Sequence, residues 1–193
     1  MIEDVTSKNN QEDGMYLTGI GITVNNANMR NNGYGYDAGL LIGGLADITL
    51  AGDITTANNN YWGFVTTSST KGTVYVTGNL NSYHNVNGVA TYAPEFTLVV
   101  GGSYSGKSGK SGSGSLTACD NTLDINNAGT STFEGSDYTC DTTDGPVPEC
   151  KPCYPGCDEP SGQTSQAMAM AQETMNMGGN HHKTGKDEPI PAY

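Results

Sequence analysis

A chain of 193 residues has room for one domain with a true core plus an appendage. Its net charge of −12, from 20 acids against 8 scattered Lys and Arg, argues against nucleic acid, whose phosphates require a basic surface, and disfavours anionic membranes. With 27 Gly, 11 Tyr, 15% charged residues and much Asn, Thr and Ser, the composition fits a turn-rich all-β protein, and no apolar run approaches the roughly 18 residues of a membrane helix.

Residues 1–16 are polar and read as a leader or cap over one end of the repeat stack; Met1-Ile2-Glu3-Asp4-Val5 lacks the basic and apolar parts of a secretory signal, so an exported form needs its directing segment elsewhere. Residues 17–140 carry a repeat. Ile22-Thr-Val-Asn-Asn, Ile48-Thr-Leu-Ala-Gly-Asp, Val74-Tyr-Val-Thr-Gly-Asn, Leu98-Val-Val-Gly-Gly and Leu123-Asp-Ile-Asn-Asn start 26, 26, 24 and 25 residues apart. Each alternates apolar and outward residues and then meets a bend residue: Asn26, Gly52, Gly78, Gly102 and Asn127, the two types that adopt a positive φ most cheaply. Further apolar runs, Gly39–Gly44, Tyr61–Val65 and Asn87–Thr91, are separated from the repeats by Asn-rich corners.

Short strands joined by bends and recurring about every 25 residues describe a parallel β-solenoid, here of about five coils. Like residues then stack about 4.8 Å apart, and Ile22, Val24, Ile48, Leu50, Val74, Val76, Leu98, Val100, Leu123 and Ile125 form the apolar columns. The outward position reads Thr23, Thr49, Tyr75, Val99, Asp124, a threonine ladder broken after two coils.

Residues 141–193 form a non-repetitive acidic tail, with a short helix expected over Gln166–Glu173. The five cysteines, Cys119, Cys140, Cys150, Cys153 and Cys157, point to disulfides and an extracellular or cell-surface setting. A zinc site drawing on the CxxC knuckle and His181-His182 is the alternative.

Three constellations bear on chemistry. Gly101–Ser108 fits GxxxxGK[ST], but Gly109-Lys-Ser-Gly-Ser-Gly after it cannot build the helix a phosphate loop must open, which leaves a Gly/Ser corner excursion. Asp37, Asp47, Asp53, Glu95, Asp120 and Asp124 supply no two acids at one register of adjacent coils, so they read as bend and cap residues rather than a glycosidase pair. Neither a cofactor nor a metal is expected. Corner tyrosines Tyr34, Tyr36, Tyr61, Tyr83, Tyr92 and Tyr104 are candidates for a sticky face toward a glycan or another chain.

The phrases Ile48-Thr-Leu-Ala-Gly-Asp-Ile-Thr and Val74-Tyr-Val-Thr-Gly-Asn-Leu-Asn resemble bacterial surface solenoids, the right-handed parallel β-helices of filamentous-haemagglutinin and autotransporter adhesins. That resemblance implies a non-enzymatic extracellular structural protein. The leading expectation is a surface fibre subunit that polymerises with copies of itself by end-to-end strand stacking and tail exchange. The alternatives are an adhesin or phage-spike-like glycan-binding module and, third, a polysaccharide-degrading β-helix enzyme.

Overall fold

A computed structural model describes residues 1–103 and 111–154, all within one compact unit. Its elements are β1 (Ile2–Lys8), β2 (Met15–Arg30), β3 (Ala38–Ala57), β4 (Trp62–Thr66), β5 (Lys71–Val76), β6 (Asn79–Tyr83), β7 (Asn87–Thr91), β8 (Glu95–Val100), β9 (Gly102–Ser103), β10 (Ser111–Gly112), β11 (Ser115–Cys119), β12 (Leu123–Asn126), β13 (Thr132–Gly135), β14 (Tyr138–Thr139) and β15 (Thr143–Asp144). Among the described residues every strand pairing except the β9–β10 hairpin is parallel, and thirteen strands join in one sheet wound into a solenoid of about five turns.

Each turn crosses three faces. On the first, Met15 and Leu17 lie beneath Leu40 and Ile42, then Phe64, Val89 and Ile125. On the second, Ile22, Ile48, Val74, Leu98 and Phe133 stack in one file, and on the third Ala27, Ile54, Leu80, Leu116 and Tyr138 do the same. Strands β2 and β3 run unbroken through all three faces, turning where their register slips at Leu17/Gly19, Ile20/Ile22 and Asn25/Ala27. Period-two alternation puts one side chain of each pair inside, so Ile48, Leu50, Val74, Leu98 and Val100 have no solvent exposure. Burying each such side chain contributes about 1.5–3 kcal/mol, available only because the coil above or below covers it.

Leu123 and Ile125 do not form the fifth copy of the second-face strand. They stack on Asn87 and Val89 in the first-face column, while Phe133 takes the place above Leu98 and Glu134, not Asp124, the outward place above Val99. The cause is the excursion between Val100 and Ser115. Its stem pairs Gly102–Ser103 antiparallel with Ser111–Gly112, and Ser115 then resumes the third face above Asn79 as though nothing intervened. The insertion adds enough residues for the next strand of the first face to fall at the old interval.

The bends divide by mechanism. Asn26 and Gly52 adopt φ of 57° and 64° as expected. Gly78 does not; it is glycine because it lies against Gly52, where a Cβ would collide with the Gly52 carbonyl oxygen. In the fourth coil the positive φ belongs to Gly101 (63°), and Gly102 opens the hairpin. Asn127 turns a different corner, its Oδ1 accepting from Thr91 Oγ1 (2.9 Å) and the Ser131 amide (2.8 Å).

The corner between the third and first faces carries an asparagine ladder. Asn10, Asn32, Asn59 and Asn85 each donate Nδ2 and the backbone N–H to the Oδ1 of the next asparagine up: Asn32, Asn59, Asn85 and Asn121. Asn121 hands the ladder to Asp124, whose second oxygen accepts the Asp141 and Thr142 amides. In every coil the residue before the ladder asparagine is left-handed: Asn9, Asn31, Asn58, His84 and Asp120, with φ from 54° to 58°. The ladder satisfies buried backbone groups that this corner would otherwise orphan.

Candidate functional site

Outward positions of the first face are unusually apolar. Val65 and Ala90 are buried there, outside the main core, in a second cluster with Ala38 that Leu41, Trp62 and Tyr92 pack against. Trp62 starts β4 and Tyr92 comes directly after β7, and their side chains lean toward each other across the face until the rings meet edge-on. Beside this pair lies an open groove of about 340 Å³ lined by both rings together with Leu41, Val65, Thr66, Thr67 and Ser68.

Trp62 is the hub of a row of rings. Its centroid lies 4.6 Å from Tyr61 and 6.2 Å from Tyr92, both edge-on, and Tyr36 from the coil below lies 4.8 Å from Tyr61. Edge-to-face and tilted pairs in this range stabilise one another by about 0.5–1.5 kcal/mol. The Trp62 Nε1 is buried without an acceptor among the described residues, so packing rather than a hydrogen bond fixes the ring. The lining of the groove carries no charged side chain; its polar groups are hydroxyls, of which Thr66 Oγ1 accepts the Tyr92 amide (3.1 Å) and Thr67 Oγ1 pairs with Thr70 Oγ1 (2.9 Å).

Of the six candidate tyrosines, Tyr36, Tyr61 and Tyr92 come together. Tyr34 is exposed and Tyr83 ends β6, the third-face strand of the third coil. Trp62 is missing from the sequence candidates because it lies inside an apolar run and so resembles a core residue. Its place beside the corner tyrosine Tyr61 was the available signal. Tyr104, Cys157, the helix expected over 166–173 and His181-His182 lie outside the described residues.

Asp4 and Asp53 flank a shallow polar groove, but Asn26 stands between them, donating to Asp4 Oδ1 and accepting the Asp53 amide, both at 3.0 Å. Asp53 in turn accepts from Asn79 Nδ2 (2.7 Å), and Glu95 pairs with Lys71 at 3.0 Å. Asp37 accepts the Tyr34 amide at 2.9 Å and Asp124 caps the asparagine ladder. Asp13 Oδ1 takes the Ala38 amide at 2.7 Å; burial lifts its carboxyl above the usual range against that bond, with Asp37 and Glu12 adding to the rise. Among the described residues no group of three His, Cys, Asp or Glu is placed to hold a metal ion.

The cysteines close the C-terminal end of the stack. Cys119 bonds to Cys153 (Cα–Cα 6.0 Å) and Cys140 to Cys150 (5.4 Å). Cys150 and Cys153, the pair a zinc knuckle would use, are thus committed to two different disulfides. The bonds pin the return segment over the last coil: the Lys151 amide donates to Tyr138 O (2.9 Å), and Val147 and Cys150 pack on the core. Beneath them the Tyr138 hydroxyl donates to Glu134 O (2.6 Å), and burial pushes that phenol well up from its ordinary pKa.

Compared with known protein families, with curated proteins and with solved structures, the chain matches none.

Proposed function

We propose that the protein is a non-enzymatic extracellular binding module, of adhesin type, whose first face holds a glycan. The observation that carries this is the groove beside the Trp62–Tyr92 pair: apolar side chains, an aromatic wall and a few hydroxyls. Such a surface matches a sugar, which presents a flat C–H face to rings and hydroxyls to its surroundings. The outward-facing Val65 and Ala90 are covered by Leu41, Trp62 and Tyr92, and these half-buried apolar side chains form a surface of the kind that marks interaction sites. Two disulfides are compatible with an oxidising, extracellular setting.

The test is a glycan array probed with purified protein and with Trp62→Ala. Binding that the substitution abolishes is the expected result; a folded wild-type protein that binds no glycan overturns the reading.

End-to-end assembly is the second reading, favoured by strand β13, which has no strand beyond it among the described residues. The disulfide-pinned cover formed by Val147 and Cys150 over the same end weighs against it. Particles that lengthen with concentration under oxidising conditions in electron micrographs would restore it to first place.

A further inference from the structure

We infer that the groove and the ring row are successive subsites for an extended, uncharged oligosaccharide, bound along its length rather than by one terminal sugar. The inference rests on the glycan-binding reading and adds chain length and charge to it.

Length is set by where the rings stand. Tyr36 precedes β3, Tyr61 and Trp62 open the next coil, and Tyr92 ends the first-face strand of the coil after that. The row therefore climbs three successive coils, its side chains leaning together so that Trp62 and Tyr92 meet edge-on although their backbones lie at opposite ends of the strand. Trp62 lies 6.2 Å from both Tyr36 and Tyr92, so the row extends at most about 12 Å, more than one sugar ring spans. Centroids 4.6–6.2 Å apart make the row continuous. At its lower end Tyr36 is 75% exposed, so a longer chain can run past it and internal segments are accessible as well as termini.

Charge is set by the lining. Leu41, Trp62, Val65, Thr67, Ser68 and Tyr92 offer no cation, and the molecule as a whole carries −12. A uronate or sialate carboxylate entering the groove would shed water with no counter-charge to replace it, against the repulsion of the surrounding field. A neutral chain loses nothing comparable. Its ring faces gain aromatic contact at each subsite, and the hydroxyls at the Thr67–Ser68 corner supply orientation.

Trp62 is the single tryptophan of the chain, so its emission reports this site alone. The experiment titrates the protein with linear β-1,4-linked glucose and mannose oligomers of increasing length, and with oligogalacturonates of the same lengths. Neutral oligomers should tighten by about tenfold from disaccharide to tetrasaccharide, the scale of one further ring contact, with little response to salt. Tyr36→Ala should flatten that dependence, whereas Tyr34→Ala, outside the row, should leave it intact. Affinity independent of length, a length series unmoved by Tyr36→Ala, or tighter binding of oligogalacturonates would overturn this inference while sparing the glycan reading. Silence toward every oligomer, together with a silent array, would remove both.

Discussion

Asn59 gives both its side-chain Nδ2 (3.2 Å) and its backbone N–H (2.9 Å) to the Oδ1 of Asn85, one coil higher. Asn85 meanwhile sends its own Nδ2 back to Thr56 O and Tyr83 O, at 3.1 and 2.9 Å. Each buried asparagine thus ties its own corner to the corners above and below. Asn85→Ala takes the acceptor from the Asn59 amide and Nδ2 and a donor from the Thr56 and Tyr83 carbonyls where water is excluded, and should cost about 2–4 kcal/mol. Urea unfolding with an unchanged m-value would measure it, and a loss under about 0.5 kcal/mol would mean the ladder does not hold the corner.

The stacking register can be weighed by truncation. Leu98→Ala and Ile125→Ala, each in a fully buried column, should lose about 2–5 kcal/mol. Leu123→Ala, at a half-buried place over Asn87, should lose about 1 kcal/mol. Equal losses at Leu123 and Ile125 would contradict the alignment of β12 on β7.

That alignment marks the limit of what the residues disclose. Ile48, Val74 and Leu98 announce the period because an apolar pair followed by a glycine bend recurs with them, and the all-β solenoid of about five turns is legible from that alone. Leu123 imitates the same phrase. Only the pairing of Gly102–Ser103 with Ser111–Gly112 reveals that the count had been lengthened by an insertion. The asparagine ladder stayed hidden for another reason. A corner asparagine looks like any turn residue, and the left-handed position before it is disguised in the upper coils as His84 and Asp120. At the candidate site the corner tyrosines Tyr36, Tyr61 and Tyr92 were legible, but that Trp62 joins them depends on its ring turning outward, which alternation alone does not settle.

The covered end should depend on its disulfides. In the loop-entropy account, losing the Cys140–Cys150 bond, with a sequence separation of 10, costs about 3 kcal/mol, and losing Cys119–Cys153, with a separation of 34, about 4 kcal/mol. Cys140→Ser/Cys150→Ser and Cys119→Ser/Cys153→Ser should therefore each lower the melting temperature. Limited proteolysis should reach residues 141–154 only after treatment with a dithiol reductant. Cleavage there at equal rates in the oxidised protein would show that the cover is not held this way.

Asp13 gives the molecule a pH dependence whose sign is fixed by burial. Because the folded carboxyl holds its proton to higher pH than an unfolded one, the folded state binds more protons in that interval, and stability falls as pH rises from about 4 through the raised value. Asp13→Asn keeps an acceptor for the Ala38 amide and removes the charge. Its urea midpoint should exceed that of the wild type at neutral pH and converge with it in acid; a constant offset at every pH would trace the effect to something other than ionisation.

The excursion after Val100 leaves and rejoins the solenoid at two anchors on the same underlying coil, with the Gly101 amide on Val76 O (3.1 Å) and the Ser115 amide on Gly78 O (2.9 Å). Gly112 and Gly114 lie against Thr77 and Val76, where a Cβ would collide, so those positions belong to the scaffold. The tip beyond the Gly102–Ser103 and Ser111–Gly112 stem is therefore the natural graft site: a foreign peptide inserted between Ser103 and Ser111 would leave both anchors, and with them the register of the coils, in place.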